Sequence, residues 1–230
     1  MTDAIAPLRE FVVTMTALVS RTADERVLLA EGRAALCRLI AEDSWLPEAF
    51  ARPRPDRYAQ YLLHCDPLER FSVVSFVWGP GQRTPVHDHT VWGLVGVLRG
   101  AEHCEEYTAP GGALCSPAGP DSADRAAATP HRTPRPTGRA HRMAPGDIEA
   151  VSPTVGDWHR VGSAREDGGV TVSIHVYGAN IGAVRRHRVD DAGCIVDFVS
   201  GYDATELPNL WDRSATVRAG LAPAATSEAR

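Results

Sequence analysis

Apolar residues recur at three- and four-residue spacing through Leu8, Phe11, Val12, Met15, Leu18 and Val19. That spacing lines one face of a helix. Thr22-Ala23-Asp24-Glu25 reads as a helix start, with small polar capping candidates ahead of an acid. Val27, Leu28, Ala35, Leu36, Leu39 and Ile40 form a second stripe, which Glu31-Gly32 interrupts for one turn. Residues 5–41 are therefore expected to be helical, with both stripes packed against a domain. From Arg57 to Val199 the pattern changes to short β-prone runs: Tyr61–His64, Phe71–Trp78, Trp92–Leu98, His103–Tyr107, Asp147–Val151, Val170–Tyr177 and Ile195–Val199. Turn signals separate them at Gly79-Pro80-Gly81, Pro145-Gly146-Asp147, Gly156-Asp157 and Asp167-Gly168-Gly169. Many short strands with such punctuation predict a mainly β domain, an antiparallel sandwich or barrel, carrying N-terminal helices.

Residues 109–140 break the pattern, with six prolines and almost no large apolar groups. Such a stretch buries too little surface to offset its ordering entropy, so it is expected to be a flexible insertion between two strands. An ordered lid is the alternative, because long loops near sites can be functional. The tail from about Arg213 is Ala-rich and polar and is expected to fray. The organisation expected is a helical segment over 1–56 packed on the barrel, a barrel domain over 57–212, and a tail over 213–230.

Composition narrows the function classes. A chain of 230 residues with 43% hydrophobic content suits one substantial domain. No long uninterrupted apolar run suggests a membrane span, and no basic region followed by an apolar one suggests a secretory signal. A net charge of −5 leaves no footprint for nucleic acid. Five scattered cysteines without a C-x-x-C pair suit free thiols in a reducing cytoplasm. Nothing in the pattern sets an oligomeric state.

The candidate chemistry centres on Pro85-Val86-His87-Asp88-His89-Thr90-Val91-Trp92-Gly93. In a strand, residues i and i+2 share a face, roughly 6.5–7 Å apart along the chain, so His87 and His89 can take adjacent positions on one metal ion. The first acid after His89 is Glu102, so no carboxylate ligand follows closely. His159, which follows the Gly156-Asp157 turn and heads a β-prone run, is the best third ligand. His64, His103, His131, His141 and His187 read as surface or ordinary packed histidines. Downstream, Val172, Ile174 and Val176 alternate with Ser173, His175 and Tyr177. The plain reading is a half-solvated strand. Water-facing strands usually carry Lys, Glu and Thr, however, and an inward face would let Ser173 orient His175 and His175 bond the Tyr177 hydroxyl.

These residues together resemble the thiol dioxygenases, the cysteine dioxygenase branch of the cupins. The resemblance covers roughly residues 57–200 and rests on His87-x-His89, the missing carboxylate, His159 and Ser173-x-His175-x-Tyr177. It implies a cupin barrel or jelly roll holding Fe(2+) on His87, His89 and His159. It also implies Ser173, His175 and Tyr177 as an outer relay, and O2-dependent conversion of a thiol to a sulfinic acid. Animal members carry a cysteine that crosslinks to the tyrosine matching Tyr177; Gly93 stands closest to that position, so no crosslink is expected. They also carry a substrate-gripping arginine where Gln60 stands here. Gln60 together with Arg186 is similar to the bacterial branch that oxidises 3-mercaptopropionate, with the adjacent Arg185 as the other candidate cation. A small thiol-carboxylate and O2 are the implied partners. Imidazoles suit iron, and three of them leave its double positive charge uncancelled, which favours a bound thiolate. Geometry alone would also admit zinc. The same reaction on L-cysteine or mercaptosuccinate, a non-catalytic metal-binding sensor, and a hydrolase or isomerase using another divalent metal remain alternatives.

Overall fold

The computed structural model describes residues 5–110, 133–203 and 214–221. Two helices open the chain, α1 (Ala6–Arg21) and α2 (Glu25–Leu39). Asp24 caps α2, its side chain accepting the backbone N–H groups of Arg26 and Val27 at 2.9 and 3.4 Å. The helix runs unbroken through Gly32. Leu94 of the neighbouring sheet lies so close there that a Cβ would stand 3.0 Å from its Cδ1. The glycine is thus a packing residue, and tertiary contact outweighs its weak helix propensity.

Ten strands follow among the described residues: β1 (Ala59–Cys65), β2 (Ser72–Trp78), β3 (Gly93–Arg99), β4 (Glu102–Tyr107), β5 (Pro136–Met143), β6 (Ile148–Val151), β7 (His159–Ser163), β8 (Thr171–Tyr177), β9 (Arg186–Val189) and β10 (Ile195–Phe198). A short helix, α3 (Ser214–Ala219), lies near the C-terminus. One sheet has the order β1-β2-β8-β3-β6, and the others are β5-β4-β7 and β10-β9. All strand pairs are antiparallel. The mainly β, antiparallel architecture with N-terminal helices expected from the sequence is the one adopted.

The two smaller sheets meet through the H-x-H segment. His87 forms isolated bridges with His159 of β7 and with Arg188 of β9. Its backbone exchanges two 3.0 Å hydrogen bonds with His159. The expectation of a regular strand here is corrected: the segment is extended only in this single-residue bridge, because the ligand-bearing backbone must bend immediately afterwards. Thr90, in the left-handed region at φ 60°, makes that bend.

Three further expectations change. Residues 136–140 belong to β5 rather than to a loop. That strand is exposed along its length up to Met143, and its pairing with β4 comes from backbone hydrogen bonding, which leaves no apolar signature. The rest of the expected insertion, residues 111–132, lies outside the described residues. β9 was also without an apolar signature. At the C-terminus, Ser214–Ala219 is helical rather than frayed, and Arg218 donates to Val199 O and Ser200 O at 3.0 and 2.7 Å.

The core lies in two layers. Val172, Ile174 and Val176 of β8 join Val73, Val77, Leu94 and Leu98 against Leu8, Phe11, Met15, Leu28 and Leu36 of the helices. On the opposite face of the large sheet, Val74, Phe76, Trp78 and Tyr177 pack with Cys104, Val151 and Val161. β8 is central in its sheet and buried at every position. No described helix is long and apolar enough to cross a membrane.

Candidate metal centre

His87, His89 and His159 converge. Each is buried, and one ring nitrogen of each lies within 4.8 Å of those of the other two. The ring centroids stand 4.8–4.9 Å apart. Two Nδ1 atoms face acceptors, Pro85 O at 3.1 Å for His87 and Asp157 Oδ1 at 2.9 Å for His89, and that of His159 lies 3.6 Å from Cys104 Sγ. With Nδ1–H so engaged, each Nε2 keeps a free lone pair. Burial holds the rings neutral, pushing the pKa of His87 and His89 well below the usual value and that of His159 down to about 4. Three buried, neutral nitrogen donors without a carboxylate fit a divalent transition metal.

Asp157 organises the bend after the second ligand. Besides the His89 ring, it accepts the backbone N–H groups of His89 at 2.9 Å and Thr90 at 3.0 Å. Asp88, between the two ligands, turns the other way and accepts His187 Nδ1 and the His187 backbone N–H, both at 2.7 Å. The alternation of the H-x-H segment is thus kept, with histidines on one side and the acid anchoring β9 on the other. Asp157 and Cys104 were not singled out by sequence reasoning. An acid two residues before His159 was a usable signal for the first; none marked the second.

The hydrogen-bonded row expected of Ser173, His175 and Tyr177 is formed. Ser173 Oγ lies 2.8 Å from His175 Nε2, and His175 Nδ1 lies 2.7 Å from Tyr177 Oη. The half-solvated reading of β8 fails, since Ser173, His175 and Tyr177 are all buried. Phe76 stacks on His175 at 4.0 Å and the Tyr177 ring stacks against His89 at 5.5 Å, which places the row beside the three imidazoles. Burial lowers the His175 pKa and raises that of Tyr177. Gly93 pairs with Tyr177 across β3 and β8. A Cβ at position 93 would stand 2.8 Å from Tyr177 Cδ1 and 2.9 Å from Val151 Cγ2, so only glycine lets this ring lie as it does.

A cavity of about 350 Å³ opens beside His87, lined among others by Gln60, Phe76, Arg186, Phe198 and Ser200. Arg186 is 3% exposed. Its guanidinium lies 4.6 Å over the Phe198 ring and donates to Ser200 Oγ at 2.7 Å, while its Nε has no partner. Arg185 is half-exposed and pairs with Asp197 at 3.7 Å. Of the two adjacent arginines, Arg186 is the one that lines the cavity. Gln60 donates through Nε2 to Ser200 Oγ at 3.1 Å and Gly201 O at 2.9 Å. Both amide hydrogens are therefore taken, and Gln60 acts on the cavity by fixing Ser200. Arg188 lines the same cavity. Ser200 was not anticipated, because a lone serine after a strand carries no pattern.

No family model matches the chain. Similar solved structures include an uncharacterized conserved protein with a double-stranded beta-helix domain from Klebsiella pneumoniae, at 14% identity over 57% of this chain and 80% of that one, with a TM-score of 0.39. A cupin 2 conserved barrel domain protein from Rhodopseudomonas palustris matches at 14% identity over 63% and 77%, with a TM-score of 0.38. A cupin-like protein from Thermotoga maritima matches at 15% identity over 59% and 80%, with a TM-score of 0.37.

Proposed function

We propose that this chain is a cupin thiol dioxygenase. It oxidises the thiol of a small mercapto-carboxylic acid, 3-mercaptopropionate foremost, to the sulfinic acid, both atoms of O2 ending on sulfur. The observation that carries the reading is the hydrogen-bonded Ser173–His175–Tyr177 row set against three buried neutral imidazoles. A site that only stores a metal, or a simple hydrolytic centre, has no evident use for such a row.

His87, His89 and His159 would hold Fe(2+), which when bound supplies open positions for a thiolate and O2. Arg186 supplies a carboxylate grip from the cavity wall, its planar fork suited to two parallel hydrogen bonds. Ser200 and Gln60 hold that fork in place. Tyr177 offers a hydroxyl whose orientation His175 fixes. Among the described residues the cavity has no free acid for an α-ammonium, because Asp203, the acid among its lining residues, is paired with Arg57 and Arg54. Burying the ammonium of cysteine near Arg186 is costly, which favours 3-mercaptopropionate over cysteine. The four free cysteines among the described residues suit a reducing cytoplasm.

Metal analysis followed by oxygen uptake on a panel of thiols tests the proposal. Iron is expected, with one O2 consumed per sulfinic acid and a higher kcat/KM for 3-mercaptopropionate than for cysteine or mercaptosuccinate. Arg186→Ala is expected to raise KM by the equivalent of about 2–5 kcal/mol, the cost of truncating one partner of a buried charge pair. An iron-loaded protein that consumes no O2 with any thiol overturns the reading.

A further inference from the structure

Glu102 opens β4 and is fully buried. Neither of its carboxyl oxygens makes a hydrogen bond of ordinary geometry. The Ser173 hydroxyl and the Trp78 indole N–H nevertheless stand near enough to favour its ionised form. A buried carboxyl so weakly satisfied is costly, and nothing in the site as described so far uses it.

Ser173 is the far end of the relay. Its Oγ lies 2.8 Å from His175 Nε2 and 3.4 Å from Trp78 Nε1, which donates to it. A hydroxyl accepts twice and donates once. Two arrangements fill all three positions. In the first, Ser173 accepts from Trp78 and from His175 Nε2–H and would turn its own hydrogen towards ionised Glu102; His175 Nδ1 then accepts the Tyr177 hydrogen. In the second, protonated Glu102 donates to Ser173, and Ser173 donates to His175 Nε2. His175 Nδ1–H then donates to Tyr177, whose own hydrogen is released from the row. The two arrangements differ by one proton and by the direction of every hydrogen bond along the row.

We propose that Glu102 is the terminal proton acceptor of the relay, taking up, through Ser173, His175 and Tyr177, the proton that a thiol gives up on entering the cavity. The identity of that donor rests on the thiol dioxygenase reading; the switch within the row does not. The thiol S–H bond breaks and sulfur keeps the electron pair. Tyr177 Oη takes the proton and passes its own to His175 Nδ1. His175 passes its Nε2 proton to Ser173, and Ser173 passes its proton to Glu102. No electron is transferred, and one negative charge moves from Glu102 to sulfur.

Burial raises the Glu102 pKa to about 7, in the range where a carboxyl can both hold and lose a proton. The titratable groups acting on it or felt by it are Glu149 of β6, Cys104 of β4 and Tyr177 of β8, with His175 one hydrogen bond beyond Ser173. None of these is a fixed cation that would hold Glu102 ionised.

Nitrogen NMR of the His175 ring in iron-free protein tests the switch without any turnover. The wild type is expected to carry its proton on Nε2 above the Glu102 titration and on Nδ1 below it. In Glu102→Gln, the isosteric variant that protects the fold, and in Glu102→Leu, the tautomer is expected to stop responding to pH. Calorimetry of thiol binding to anaerobic iron-loaded protein, in buffers of different ionisation heat, then counts protons. Above the Glu102 titration the wild type should release almost none, and both variants about one. A pH-independent tautomer in the wild type, an unchanged response in folded Glu102→Gln, or equal proton release in all three proteins overturns the proposal. Loaded protein that binds no thiol counts against the dioxygenase reading instead, and the imidazole measurement still decides the role of Glu102.

Discussion

On one side of β8, Val172, Ile174 and Val176 lie in the core beneath α1 and α2; on the other, Ser173, His175 and Tyr177 lie beside the three imidazoles. Both sides are equally buried. They differ in how they are held. The helix side rests on many non-directional contacts, each individually small, so its cost of disruption scales with volume lost. The interior side rests on three directional hydrogen bonds and two ring stackings, so a single atom can decide whether it works. On the proposed reading one strand carries stability on one face and chemistry on the other, and substitutions on the two faces should separate the two properties.

The largest separation is expected for Tyr177→Phe, which removes one oxygen from the interior side. Turnover of the thiol should fall by about 10²–10⁴-fold, the range for a lost acid–base partner, while iron content and the unfolding midpoint stay near wild type. Unchanged turnover at every pH would remove Tyr177 from the chemistry. Ile174→Ala, its neighbour three residues away on the helix side, should do the reverse. A loss of about 2–5 kcal/mol in urea unfolding is expected, with kcat of the folded fraction retained. A variant as stable as wild type but catalytically poor would mean that the two faces are not separable. The smallest effect concerns the loop that carries His89. Asp157→Asn keeps the size of the side chain but weakens the acceptor on His89 Nδ1, and metal affinity should drop about 10–100-fold in a competition with a chelator. Wild-type affinity would show that the backbone alone fixes that ring.

The legibility of the molecule followed the same division. Periodicity disclosed α1, α2 and the strands that bury a face, because apolar burial is what sequence pattern records. It missed β5, whose side chains point to solvent and whose strand exists through its backbone pairing with β4. At the site, the three ligands and the Ser-His-Tyr row were readable from spacing, since each depends on alternation along a single segment. Asp157, Cys104, Ser200 and Glu102 were not. Each meets its partner across elements brought together only by folding, as Glu102 of β4 does with Ser173 of β8. Glu102 had been noticed only as the first acid after His89, too distant to serve as a ligand.

Gly93 sets a limit on how this centre can be re-engineered. Grafting a cysteine there, the residue by which animal cysteine dioxygenases tether the tyrosine, needs room that the present packing does not leave. The new Cβ would stand 2.8 Å from Tyr177 Cδ1 and 2.9 Å from Val151 Cγ2, so ring or valine would have to give, yet it would stand only 3.1 Å from Tyr177 Cε1, close to the span of a C–S–C bridge. A covalent tether and a ring laid against bare backbone are thus neighbouring solutions to one problem, fixing a phenol. Passing from one to the other asks for a small yielding of Val151 and the ring rather than a rebuilt site.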